Sequence, residues 1–138
     1  TYSSYDVIDE FGNMKSKVVA PADITFRMML NNNYIGCLTA IYDTKKLGKL
    51  YMNQIRKRQD WALWLYIMKI LKTTSGTSES LAIYRLRSNS ISTNKIEMLK
   101  YNYQIYNTVL GYNYLISFLF LINYVFHYFL KKLKDRKI

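Results

Sequence analysis

The chain has 138 residues, room for one domain, and half of them are hydrophobic, enough for a core of modest size. Twenty Lys and Arg against nine Asp and Glu leave a net charge of +11, which implies anionic partners: phosphorylated small molecules, an anionic membrane surface or nucleic acid. The lone Cys37 excludes an internal disulfide, no His–Cys–Glu cluster has metal-ligand spacing, and no stretch resembles a secretory signal peptide, so a reducing, cytoplasmic setting is expected.

Residues 1–20 predict a β-hairpin. Tyr2, Val7 and Ile8 lead in, Asp9-Glu10-Phe11-Gly12-Asn13 supplies the turn, and Lys17-Val18-Val19 returns. After Pro21 and Asp23, residues 24–30 predict a short helix whose Met28 and Met29 fill core space, ending at Asn31-Asn32-Asn33. The compact apolar run 35–42 predicts a strand, with Cys37 packed inside it and Gly36 allowing close backbone approach. Thr39 has either a local hydrogen-bond partner or a ligand for its hydroxyl. Lys45 to Lys49 then forms a basic turn or short helix. Lys45, Lys46, Lys49, Arg56, Lys57 and Arg58 follow one another with no acid between them. The lysines suit a solvated face, whereas Arg56 and Arg58 stand just before Asp60 and are candidates for substrate contact.

From Asp60 the chain becomes almost wholly apolar: Trp61-Ala62-Leu63-Trp64-Leu65-Tyr66-Ile67-Met68, then Ile70 and Leu71. A run of that length with apolar residues on all sides predicts a buried helix, with Asp60 in its first turn. There a carboxylate can cap free N–H groups, or serve as a general base held on a rigid element. A neighbouring cation favours its ionised form and desolvation beside Trp61 and Trp64 opposes it.

Residues 72–79 predict a polar loop, and 81–86 a strand. Arg85 and Arg87, two apart, face one side of an extended chain. The hydroxyl-rich run 88–93 after them, with Ser90 and Ser92, suits either phosphate oxygens or a plain connection. Asn94 and Glu97 have capping-box spacing for a helix through Tyr101, Ile105 and Val109, ended or bent by Gly111. Residues 114–130 carry no charge, but span roughly 25 Å against a hydrocarbon core of about 30 Å. Interfacial tyrosines and the cations of 131–137 favour a helix lying on the cytoplasmic leaflet, with a tilted span or a core helix as alternatives.

The string RKRQDWALWL resembles the (Glu/Gln)-Asp-x-x-Leu-Trp-Leu motif of bacterial family 2 glycosyltransferases, inverting sugar transferases with a GT-A fold. Three further stretches are similar in the right order: YSSYDVIDEFG from Tyr2, NYIGCLTAIYD from Asn33 and LAIYRLRSNSIS from Leu81. The resemblance covers residues 1 to about 95, and the motif has Gln59 where Glu is commoner. It implies a partial GT-A fold of the α/β class: a few strands with a buried motif helix, followed by long C-terminal helices. Residues 1–95 would be the acceptor-side portion of a catalytic domain and 96–138 a helical, membrane-associating tail. The chain has no Asp-x-Asp, so the nucleotide-binding half and most ligands of a divalent metal, Mg or Mn, are expected outside it.

By the same resemblance Asp60 is the general base, and Arg85, Arg87, Ser90 and Ser92 contact the donor diphosphate. Apart from the resemblance, Arg56 and Arg58, by their position before Asp60, and Thr39, by its hydroxyl, are the candidates for substrate contact. The expected partners are a nucleotide sugar, a glycan or lipid-linked acceptor and the anionic inner face of the cell membrane, without nucleic acid. A non-catalytic basic module docking on anionic membranes is the alternative.

Overall fold

The structure, a computed structural model, describes residues 1–87 and 95–135, with the backbone alone described for Lys95, Lys131, Lys132, Lys134 and Asp135. The hairpin forms as expected: β1 (Tyr2–Ile8) and β2 (Met14–Val18) pair antiparallel around a turn tied by Asp9. The Asp9 carboxylate accepts from the Phe11 and Asn13 amides at 3.0 and 2.9 Å and pairs with Lys15 at 3.1 Å. A short β3 (Asp23–Thr25) leads into α1 (Phe26–Asn31), capped by Thr25, whose hydroxyl accepts from the Met28 amide. Next come α2 (Thr44–Leu47), α3 (Gln59–Leu71), β4 (Thr73–Arg85) and α4 (Lys95–Gln104). A π-helical turn (Ile105–Val109) and α5 (Tyr114–Asp135) complete the chain. The four strands make one sheet in the order β2-β1-β4-β3, with β1 and β4 parallel and α3 in the crossover between them. The mixed α/β class expected from the sequence is the one found.

Two sequence expectations are corrected. Residues 72–79 are not a loop: β4 starts at Thr73, and its polar first half lies between β1 and β3. Ladder partners on both sides decide its conformation, and composition does not reveal them. Conversely, 35–42 is not a strand but an irregular turn, in which the Thr39 amide and hydroxyl both donate to the Gly36 carbonyl at 3.0 Å. This segment packs by its side chains instead. The Tyr5 ring lies where a side chain on Gly36 would be, 2.8 Å from an ideal Cβ.

Gly76 is tighter still. A Cβ there would stand 2.6 Å from the Tyr2 ring and 2.8 Å from the Pro21 carbonyl oxygen, and the Tyr2 hydroxyl already donates to that carbonyl at 2.6 Å. Backbone cannot yield cheaply, so Gly76→Ala is expected to destabilise the fold by about 1–3 kcal/mol. A lowered midpoint in thermal unfolding would show it; an unchanged one would mean the β1–β4 pairing adapts.

The core is organised on α3. Trp61, Leu65 and Met68 are fully buried, with Ile24 and Met29 from β3 and α1 and with Ile105 and Tyr106 beyond α4. The π-helical turn and α5 share this core: Tyr106 and Tyr124 both lie against the Trp61 ring, at centroid distances of 5.9 and 5.5 Å. The last carbonyls of the short α1 need partners that a helix cannot itself supply. Trp61 Nε1 donates to the Met29 carbonyl at 2.9 Å, and the Tyr106 hydroxyl to that of Leu30 at 2.6 Å. Among the described residues, no helix is long and apolar enough to cross a membrane. One face of α5 packs on the core through Phe120, Leu121, Tyr124 and Val125, and the opposite face leaves Leu115, Phe118, Leu119, Ile122, Phe126 and Leu133 exposed.

Candidate active site

The same helical turn that anchors the core also holds the candidate base. Asp60 precedes Trp61 at the start of α3, half-buried beside a cleft of about 660 Å³. Its carboxylate Oδ2 accepts from Asn33 Nδ2 at 3.1 Å, and Asn33 Oδ1 accepts from the Ile35 amide at 3.3 Å. Asn33 is thereby held at both ends of its amide. It also follows directly from the end of α1 that Trp61 and Tyr106 tie down, so the Asp60–Asn33 contact is built on buried side chains. The residue before the helix proper is Arg58, not Asp60. It sits in the left-handed region at φ 65° with no capping hydrogen bond from its side chain. For a non-glycine residue that conformation costs roughly 1–2 kcal/mol, and such strain recurs at functional sites.

Arg58 is held by Trp61 and Tyr124. Its guanidinium lies 5.5 Å from the Trp61 ring centroid, and Nη2 donates to the Tyr124 hydroxyl at 3.1 Å, while Nε is buried with no partner. Arg58 and Asp60 both line the cleft, together with Tyr5, Tyr84 and Cys37. Burial raises the Tyr5 hydroxyl above its ordinary pKa, helped by Tyr84 and by the charge on Asp60. Burial and then the Asp60 charge raise the Cys37 thiol likewise. The expectation of a packed Cys37 is corrected: with 35–42 turned rather than extended, the thiol is exposed at the cleft. A raised pKa keeps it protonated near neutrality, so maleimide is expected to react slowly at pH 7 and faster as pH rises toward and past 9. Alkylation should block the cleft, and Cys37→Ser should escape the block with its activity intact. An alkylated protein of full activity would show that the cleft is not used.

The other predicted site residues scatter. Arg56 is exposed and lines a different depression, beside Lys100 and Tyr101 of α4. Thr39 donates its hydroxyl to Gly36 and is absent from the cleft lining. Because strand residues alternate, Tyr84 faces the cleft and Arg85 the opposite side. Arg85 Nη1 donates to the carbonyls of Glu10 and Asp9, at 2.9 and 3.4 Å, tying β4 to the hairpin turn. Arg87 is exposed just beyond the strand. Ser90, Ser92 and the proposed cap Asn94 lie outside the described residues. Among the described residues no three His, Cys, Asp or Glu side chains are placed to hold a metal ion.

Sequence reasoning missed two participants. Asn33 belongs to a run of three asparagines that signals only the end of a helix. Lys57, expected on a solvated face, has a side chain only 9% exposed and pairs with Glu97 at 2.6 Å, clamping α4 to the approach of α3. That pairing holds the Glu97 carboxyl below its ordinary pKa.

No family model matches the chain, and no solved structure is significantly similar to it. Among curated proteins it is similar to a Bacillus subtilis (strain 168) protein, TuaG, named as a teichuronic acid biosynthesis glycosyltransferase. The two are 37% identical over 110 residues, 79% of this chain and 44% of TuaG. It is also similar to the Escherichia coli UDP-Glc:alpha-D-GlcNAc-diphosphoundecaprenol beta-1,3-glucosyltransferase WfgD, at 32% identity over 125 residues, 90% of this chain and 48% of WfgD. The chain spans a little under half the length of these curated relatives. Over most of its own length it is thus homologous to part of two bacterial glycosyltransferases.

Proposed function

We propose that this chain is the acceptor-side half of an inverting family 2 glycosyltransferase with a GT-A fold. It would act in the synthesis of cell-surface polysaccharide or of a lipid-linked glycan. The observation that carries this reading is the carboxylate of Asp60, oriented by Asn33 at the rim of a cleft, in a chain homologous to glycosyltransferases. In a single displacement, the base takes the proton of an acceptor hydroxyl. The acceptor oxygen then attacks the anomeric carbon from the face opposite the leaving nucleotide diphosphate, and the configuration inverts. Asn33 orients the carboxylate through Oδ2, and Oδ1 is proposed to take the acceptor proton. Arg58, locked by Trp61 and Tyr124, supplies a fixed positive charge beside the cleft.

Arg87, Ser90 and Ser92 are proposed for the donor diphosphate; Arg85, tied to the hairpin turn, and Arg56 and Thr39, which do not line the cleft, are given no part at the base. A divalent metal finds no ligand cluster among the described residues, so its ligands are assigned elsewhere in the complete enzyme. The exposed apolar face of α5 and the net charge of +11 support docking at the anionic inner face of the cell membrane. Such docking would serve transfer to a lipid-linked acceptor.

The decisive experiment follows the anomeric configuration by NMR when the natural full-length protein uses α-linked UDP-sugars. A β-linked product is expected. An α-linked product would overturn single displacement, and no turnover of any nucleotide sugar would overturn the transferase reading.

A further inference from the structure

Behind Arg58 lies a second cavity, of about 380 Å³, between α4 and α5. Its walls are apolar, with Met98 and Leu99 on one side and Val125 and Phe129 on the other, and its polar lining includes Asn102 and Arg58. Asn102 is wholly buried, yet neither its Oδ1 nor its Nδ2 has a hydrogen-bond partner. The buried Ser3, Ser4 and Ser117 are bonded, whereas Trp64 Nε1 and Ser80 Oγ, each outside this groove, also lack partners. Arg58 Nε is the second buried donor in this groove without a partner. Buried polar groups are rarely left so, because their desolvation is then uncompensated.

We infer that this groove holds the diphosphate-proximal part of a prenyl chain, on the lipid-linked acceptor of the transfer proposed above, and the inference rests on that reading. Two unpaired N–H donors call for an acceptor-rich group, which a phosphate provides. The apolar walls exclude a nucleotide or free sugar as the occupant and suit a hydrocarbon chain. Phe129, 56% exposed, joins the groove to the outer face of α5, where Phe126 and Leu133 are also exposed, so the rest of the chain has an apolar path toward a bilayer. Arg58 lines both this groove and the Asp60 cleft. A diphosphate held at Arg58 therefore leaves its sugar on the side of the base.

The test uses farnesyl diphosphate as a probe, followed through the fluorescence of Trp61 and Trp64 in the natural full-length protein, with inorganic diphosphate and farnesol as controls. Farnesyl diphosphate is expected to bind at least tenfold tighter than either control. Leu99→Trp, which fills the groove, and Asn102→Leu, which removes the unpaired amide, should each weaken it at least tenfold. Inorganic diphosphate should bind Leu99→Trp as it binds the natural protein. Asn102→Leu deletes an unsatisfied group, so its thermal midpoint should be unchanged or higher, keeping the test valid if Leu99→Trp does not fold. Unaltered affinity in Asn102→Leu, or farnesol binding as tightly as farnesyl diphosphate, would overturn the inference. Such a result with β-linked product still formed would reject the groove alone. Groove binding without any transfer would reject the enzymatic reading, and with it the lipid-linked acceptor as the occupant.

Discussion

Asp60→Asn is expected to lower kcat by about 10²–10⁴-fold, the usual worth of a positioned general base, while nucleotide-sugar binding stays within a factor of a few. The substitution suits the question because it removes the proton acceptor and little else. The amide oxygen it introduces can still accept from Asn33 Nδ2, now at 3.1 Å from the carboxylate, and the side-chain volume is nearly the same. No packing contact of Trp61 is disturbed, so the thermal midpoint should hold. Single-turnover transfer with a saturating acceptor, together with calorimetric titration of the nucleotide, separates the two effects. If transfer survives with Asn at this position, Asp60 is no more than a helix-start acid, and the base must be sought elsewhere in the complete protein.

Trp61→Ala should have the largest effect on stability, about 3–5 kcal/mol for a fully buried aromatic side chain. Area is not the whole of it. The indole N–H satisfies the Met29 carbonyl, and the ring packs against Arg58, Tyr106 and Tyr124. Trp61→Phe keeps most of the volume and loses the hydrogen bond, so a smaller cost of about 1–3 kcal/mol is expected from the stranded carbonyl. Because that carbonyl belongs to the end of α1, just ahead of Asn33, Trp61→Phe should also lower kcat in a protein that remains folded. Denaturant unfolding paired with kinetics on the folded variant would show it. A stability loss with kcat unchanged would mean that Asn33 is positioned independently of the core.

The hairpin and α3 were legible because their signals are local. Asp9 to Asn13 makes its turn with its own side-chain and backbone bonds, and an unbroken apolar run after an acid is helical and buried wherever it is placed. The motif string suggests the base role for Asp60 that composition leaves open between cap and base, and the Asp60→Asn transfer assay tests it. Residues 35–42 and 72–79 misled for opposite reasons. The former segment has a strand's apolar run, but it pairs with no strand and turns back on Gly36, whose carbonyl takes both Thr39 donors. The latter has the composition of a loop but lies between two partner strands, where backbone pairing outweighs its polar side chains.

By itself, then, the sequence determined the α/β class, the buried motif helix, the strongly basic charge and the candidate carboxylate. These rest on periodicity, turn chemistry and a short motif, all of which act within about a dozen residues. Only the tertiary structure decided what surrounds that carboxylate. Asn33 lies 27 residues away in sequence, Tyr124 is 66 from the Arg58 it bonds, and Asn102 is buried without a partner beside Val125 and Phe129 of α5. Such partners are chosen by packing around Trp61, and packing is a property of the whole core.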